Sequence, residues 1–112
     1  MSSELIAWLM AFALTTIVEV PLYALGSGLE SRRRAAGDAL LAQLLTHPIA
    51  WSAVRGFGLP LWPVELGVFL AEAAVYRTLS GLSLGRAVLI SFVLNLTTTV
   101  VGLTLPLTGI AP

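Results

Sequence analysis

The chain has 112 residues, of which 57% are hydrophobic and 11% are charged, and its formal net charge is zero. Soluble domains carry about 25% charged residues, so this composition excludes a chain that covers itself with an ordinary polar surface. The zero net charge argues against nucleic acid as a partner, and the absence of cysteine excludes disulfides, thiol redox chemistry and thiolate metal ligands.

Hydrophobic stretches of membrane-spanning length follow one another along the chain. A helix needs about 20 apolar residues to cross a bilayer, and lipid leaves the backbone no water partner, so only helices or closed barrels can cross. The stretches lack the alternating rhythm of barrel strands. We therefore predict an all-α, polytopic transmembrane bundle of four helices that forms a single domain over residues 1–112. The predicted spans cover residues 5–25, 35–54, 64–82 and 87–107.

The arginines are distributed unevenly between the turns that join these spans. Residues 32–34 are three arginines after the first span, and Arg77 and Arg86 flank the turn after the third, whereas the middle turn has only Arg55. Because positive residues stay cytoplasmic, we predict that both termini face outward, in the inner membrane of a bacterium. The aromatic residues agree, with tryptophans near the outer interface and tyrosines near the inner one: Trp8, Trp51 and Trp62, and Tyr23 and Tyr76.

Each predicted span carries a polar side chain near the middle of the bilayer. An ionisable group at that depth costs about 3 kcal/mol on insertion scales, so it usually has a partner or a task. With a rise of about 1.5 Å per residue, Glu72 and His47 fall at the same depth on antiparallel spans. Glu19, Gln43 and Asn95 fall together in the inner half of the bilayer.

Glu72 and His47 give the sharpest hypothesis, which is one coupled site that exchanges protons. An imidazole titrates near physiological pH, and Pro48 removes a backbone donor beside it. Glu65 lies seven residues before Glu72 and shares its helix face at the interface. It is either a solvated side chain or the entrance to a path toward Glu72.

The alternative reading is that the polar residues only fix helix packing through interhelical hydrogen bonds, each worth about 0.6 kcal/mol. We favour it for Gln43 and Asn95. Ser91, Asn95, Thr98 and Gly102 recur at helical spacing, which is typical of a packing face. The chain has no Glu-x-x-His or His-x-x-x-His spacing, so we predict no metal site and no cofactor, and we assign no catalytic residue.

Three short motifs stand in order along residues 40–103: Thr46-His47-Pro48, then Glu65 and Glu72, then Ser91 and Asn95 before Gly102. With these motifs the chain resembles a widespread family of small uncharacterised bacterial four-helix membrane proteins. The resemblance implies a fold and a membrane location, and it brings no activity. The architecture is also similar to that of small multidrug-resistance transporters, in which the first helix carries one carboxylate. Glu19 would be its counterpart, although the aromatic motifs of that family are absent.

Three functions stay open at this point. The first is an oligomeric channel or proton-coupled carrier for a small solute or ion, and the second is a non-catalytic accessory or assembly subunit of a larger membrane complex. The third, less favoured, is an enzyme that acts on lipid-linked substrates. Besides the lipid bilayer, the expected partners are further copies of the chain, because a polar second span would be partly exposed to lipid in a monomer. Spans one and three share an acid and a late tyrosine, which is too little to indicate an internal repeat.

Overall fold

Four α-helices form the fold of residues 2–104, which the computed structural model describes. They are α1 (Ser3–Gly26), α2 (Arg32–Trp51), α3 (Leu61–Leu79) and α4 (Leu84–Thr104), with a π-helical turn (Ser52–Gly56) after α2. Each helix packs against the two beside it, in the ring order α1, α2, α3, α4, and short loops make successive helices antiparallel. No strand occurs within the described range. The prediction of an all-α fold with four helices is confirmed.

Three helices begin three residues earlier than the apolar stretches predicted. Serines cap two of them: the Ser31 hydroxyl accepts from the amide of Arg34, and the Ser83 hydroxyl accepts from the amide of Arg86. Because N-cap residues fix where a helix starts, the arginines after Ser31 form the first turn of α2 rather than a loop. The predicted end of the fourth span, at residue 107, lies outside the described residues.

Arginines close the end of the bundle where α1 and α3 terminate. The guanidinium of Arg86 donates to the carbonyls of Gly26 and Ser27, each at 3.1 Å, and that of Arg34 donates to the carbonyl of Leu79 at 2.7 Å. Cations at a helix C-terminus satisfy carbonyls that lack an intrahelical partner and oppose the negative end of the helix dipole. The arginine bias used to predict orientation therefore also has a structural cause.

The interior and the surface of the bundle are inverted relative to a soluble protein. Leucine, isoleucine, phenylalanine and valine side chains cover the outside, while eight polar or charged side chains are buried. In α2 the inward face consists of Ala35, Ala39, Ala42, Gln43 and Thr46, and the outward face is mostly leucine. Small residues allow helices to approach closely in lipid. A monomer would therefore not expose the polar side of α2 to lipid.

Two of the helices, α1 and α4, are long and apolar enough to cross a membrane by length and composition. α3 contains Glu65, Glu72 and Arg77, and α2 begins with three arginines and contains Asp38. The structure thus supports association with a membrane. Large apolar surfaces that face outward point the same way, because soluble monomers rarely expose them.

Candidate functional site

Glu72 lies on the bundle axis, fully buried, and three side chains donate hydrogen bonds to its carboxyl. The amide of Asn95 donates to Oε1 at 2.8 Å. The amide of Gln43 and the hydroxyl of Thr46 donate to Oε2, at 2.8 and 3.0 Å. Donors from α2 and α4 thus satisfy both oxygens, which is the condition for burying a carboxylate. The structure brings Gln43 and Asn95 to Glu72, and it adds Thr46.

His47 does not join this cluster. Its ring packs against Trp8, Phe12 and Trp51, with ring centroids 5.9, 5.3 and 6.4 Å away, and its Nδ1 atom is buried without a hydrogen-bond partner. The expected pair with Glu72 is not formed in this structure. Depth alone suggested that pair, but successive helix residues point about 100° apart, so Thr46 faces the axis and His47 faces α1.

Glu19 on α1 is the second buried carboxyl, with 1% of its surface exposed. Gln43 lies close enough to interact with it as well as with Glu72. The Oε1 atom of Glu19, however, is shielded from solvent and has no hydrogen-bond partner. Since a bare buried carboxylate is costly, this side chain needs a proton or a cation that the described part of the chain does not supply.

A cavity of about 90 Å³ lies between the helices and reaches Glu19. All four helices line it, and its lining includes nine polar or charged side chains besides Glu19: Thr15, Gln43, Thr46, His47, Arg55, Glu65, Asn95, Thr98 and Thr99. On this measure one water needs about 10–15 Å³, so the cavity has room for several waters or for one solute of a few heavy atoms. Glu72 does not line it, because its three donors separate it from the open space.

Arg55 and Leu61 line the cavity near the end of the bundle where α1 begins. The guanidinium of Arg55 lies 3.2 Å from the carboxyl of Glu4 and 5.1 Å from the ring centroid of Trp51. Glu65 also lines the cavity, and its carboxyl accepts a 3.4 Å hydrogen bond from Thr99. The predicted path from Glu65 toward Glu72 stays a prediction, because the cavity reaches Glu19 and is not lined by Glu72.

Tyr23 and Tyr76 close the bundle beyond the cavity. Their rings stack across the axis with centroids 4.1 Å apart, and both are fully buried. The hydroxyl of Tyr23 donates to Ser80, and Ser80 donates to Asp38 at 2.7 Å. The sequence analysis placed both tyrosines in an interfacial belt, which is wrong. Each lies one helical turn after a buried glutamate, and that shared spacing is the signal that could have identified them.

Comparisons with known proteins add nothing to this geometry. No protein-family model, curated protein or solved structure matches the chain. Among residues 2–104, no group of three or more histidine, aspartate or glutamate side chains is arranged to hold a metal ion. The site is therefore interpreted from its own residues.

Proposed function

We propose that the chain is a proton-coupled carrier for a small cationic solute or ion, which binds at Glu19 in the cavity. The observation on which this depends is a cavity that reaches a buried carboxyl with an unpaired oxygen. A carboxylate in that place requires neutralisation, and either a proton or a cation provides it. Binding of one then releases the other, so that exchange leaves the net charge of the site unchanged.

Four crossings of the bilayer, with both termini outside, are part of this proposal. If α1 and α4 cross, then α2 and α3 cross with them, because they pack alongside in an antiparallel ring and loops of a few residues join them. Helices of 20 and 19 residues have about the length of the hydrocarbon core. The carboxyls of α3 point into the bundle, where they do not meet lipid.

A carrier fits this geometry better than an open channel. Tyr23 and Tyr76 stack on each other one helical turn after Glu19 and Glu72, and neither tyrosine lines the cavity. Transfer to the far side therefore requires a conformational change at Tyr23 and Tyr76. The reason given for an oligomer, a polar second span exposed to lipid, does not hold in the structure, because the polar residues Gln43 and Thr46 of α2 face their own bundle. Self-association therefore has no support from these residues and stays a prediction.

The test is proton flux in proteoliposomes that contain a trapped pH indicator. Methylammonium, guanidinium, sodium and potassium are each added outside at equal ionic strength. The proposal expects an outward proton movement with at least one of them, and loss of that movement in Glu19→Gln. Glu30→Gln, which changes an exposed loop carboxyl, is the matched control and keeps the flux. No flux with any cation in the native chain would refute the proposal.

The accessory-subunit function is the second candidate, and the fully bonded Glu72 favours it. A buried carboxyl with three protein donors and no contact with the cavity is what a structural cluster provides. This function expects that Glu19→Gln changes no flux, and that the chain co-purifies from native membranes with other subunits.

A further inference from the structure

The two helical hairpins, α1–α2 and α3–α4, share a repeated pattern of residues that extends beyond the acid and the late tyrosine of spans one and three. Two motifs carry it. In the first helix of each hairpin the spacing Glu-x3-Tyr-x3-Ser-Gly occurs, as Glu19, Tyr23, Ser27 and Gly28 and again as Glu72, Tyr76, Ser80 and Gly81. In the second helix the equivalent residues are Ser31, Arg34, Gln43 and Thr46 and, at the same spacings, Ser83, Arg86, Asn95 and Thr98.

The structure gives these equivalent residues equivalent roles. The glycine of each first motif has positive φ, +80° and +72°. Arg86 donates to the carbonyl of Gly26, three residues after the first tyrosine, and Arg34 donates to the carbonyl of Leu79, three residues after the second. The tyrosines stack on each other. The two buried glutamates therefore occupy equivalent places in their hairpins.

The two carboxyls nevertheless have different donors. Glu72 accepts from Asn95 of its own hairpin and from Gln43 and Thr46 of the other hairpin. Glu19 has only the neighbouring Gln43 of its own hairpin, an amide whose bond to Glu72 is 2.8 Å long. Donors from the opposite hairpin are what Glu19 lacks.

The missing donors can be named, and the cavity occupies the space beside them. By the repeat they are Asn95 and Thr98, which correspond to Gln43 and Thr46. The hydroxyl of Thr98 donates to the carbonyl of Asn95 at 3.1 Å, whereas that of Thr46 lies within hydrogen-bond distance of both the carbonyl of Ala42, at 2.9 Å, and the carboxyl of Glu72, at 3.0 Å. Glu19, Asn95 and Thr98 all line the cavity. The part of the cavity beside Glu19 therefore corresponds to the place where, in the other hairpin, side-chain N–H and O–H groups donate to Glu72.

We propose that the ligand of Glu19 is a small cation that carries N–H donors, of the primary ammonium, amidinium or guanidinium class. Such a cation supplies to Glu19 what two side chains of the opposite hairpin supply to Glu72. The terminal torsion of a glutamate is soft, so rotation turns the unpaired oxygen toward the cavity. Charge-assisted N–H bonds to a carboxylate are stronger than neutral ones. This inference rests on the proposed function and narrows its substrate.

Binding to the native chain in nanodiscs tests the ligand class, with the fluorescence of Trp51, which lines the cavity, as the readout. Methylammonium and guanidinium are titrated against potassium at constant ionic strength. One charge-assisted hydrogen bond is worth about 1.5–3 kcal/mol, so the N–H cations should bind at least about ten-fold more tightly than potassium. Glu19→Gln should remove the saturable signal, with helicity and elution volume as checks of folding.

A pair of neighbouring threonines tests the equivalence of the hairpins. Thr98→Val should weaken binding of methylammonium several-fold, because the repeat makes Thr98 a donor to the occupied Glu19. Thr97→Val should not, since the Thr97 hydroxyl bonds the carbonyl of Val93 in its own helix. Equal affinities for potassium and methylammonium, or equal effects of the two valines, would overturn this inference and leave the carrier proposal intact. Selective binding of the N–H cations without any proton flux would overturn the carrier proposal and leave the ligand class of Glu19 intact.

Discussion

Replacement of Glu72 measures how much the buried carboxyl contributes to the stability of the bundle. Glu72→Ala removes the acceptor of three hydrogen bonds at once, while Thr46 and Asn95 keep only the backbone carbonyls of their own helices as acceptors. Interhelical bonds in membranes average about 0.6 kcal/mol each, so their loss costs about 2 kcal/mol. The vacated side-chain volume adds about 1–2 kcal/mol more. We expect a total of about 3–4 kcal/mol.

Glu72→Gln should cost much less, about 1 kcal/mol. The new NH₂ group of residue 72 would face a side-chain donor. Gln43 can turn its own amide and present an oxygen to that group. Asn95 cannot turn as freely, because its NH₂ group also donates to the carbonyl of Ser91 at 2.8 Å. Reversible unfolding in mixed micelles, titrated with a denaturing detergent, gives the free energy of unfolding. Glu65→Ala is the control on the same helix, because it removes only one long bond, of 3.4 Å. If Glu72→Ala were no less stable than Glu65→Ala, the assignment of Glu72 as a structural centre would be wrong.

Three further outcomes are expected. Gly28→Ala should destabilise the chain more than Gly81→Ala in the same unfolding assay. Both glycines have positive φ, but only at Gly28 would the new Cβ lie 2.7 Å from the Arg86 guanidinium. Equal losses of stability would mean that Arg86 moves away at no cost. Arg86→Ala should cost about 1–2 kcal/mol through the lost cap on α1, and the exposed Arg33→Ala, the matched control, almost nothing. Cysteines at Ser3 and at the exposed loop residue Glu30 should label from opposite sides of a vesicle with an impermeant reagent, Ser3 from outside; labelling of Glu30 alone from outside would reverse the orientation.

Much of the fold follows from the sequence because hydrophobic length is a strong local signal. Four apolar stretches predicted four helices, and the errors at their starts came from cap residues outside those stretches, such as Ser31 and Ser83. The grouping of the polar residues was predicted only in part. Depth placed Gln43 and Asn95 with Glu19, and Glu72 with His47, whereas in the structure Gln43 and Asn95 donate to Glu72.

The candidate site was less predictable, because depth in a membrane fixes only one coordinate of a side chain. Glu72 and His47 share a depth, yet they face different neighbours around α2. Which carboxyl has both oxygens hydrogen-bonded and which lines a cavity depends on donors from α2 and α4 together. Only the repeat could have indicated it from sequence, since it aligns Glu19 with Glu72 and Thr46 with Thr98. That alignment is visible only when the motifs of both helices in each hairpin are read together.

The walls of the cavity explain why two related hairpins provide only one open carboxyl. By the repeat, Phe12 corresponds to Glu65 and His47 to Thr99, and both pairs are in contact: the rings of Phe12 and His47 lie 5.3 Å apart, and Thr99 donates to Glu65. One wall is therefore aromatic and the other polar, although the backbone frame is the same. Of these four side chains, His47, Glu65 and Thr99 line the cavity, as does Trp51. A carboxyl and an aromatic ring suit a cation that is bound through N–H groups by the one and through a ring face by the other. The asymmetry thus lies in side chains and not in the fold.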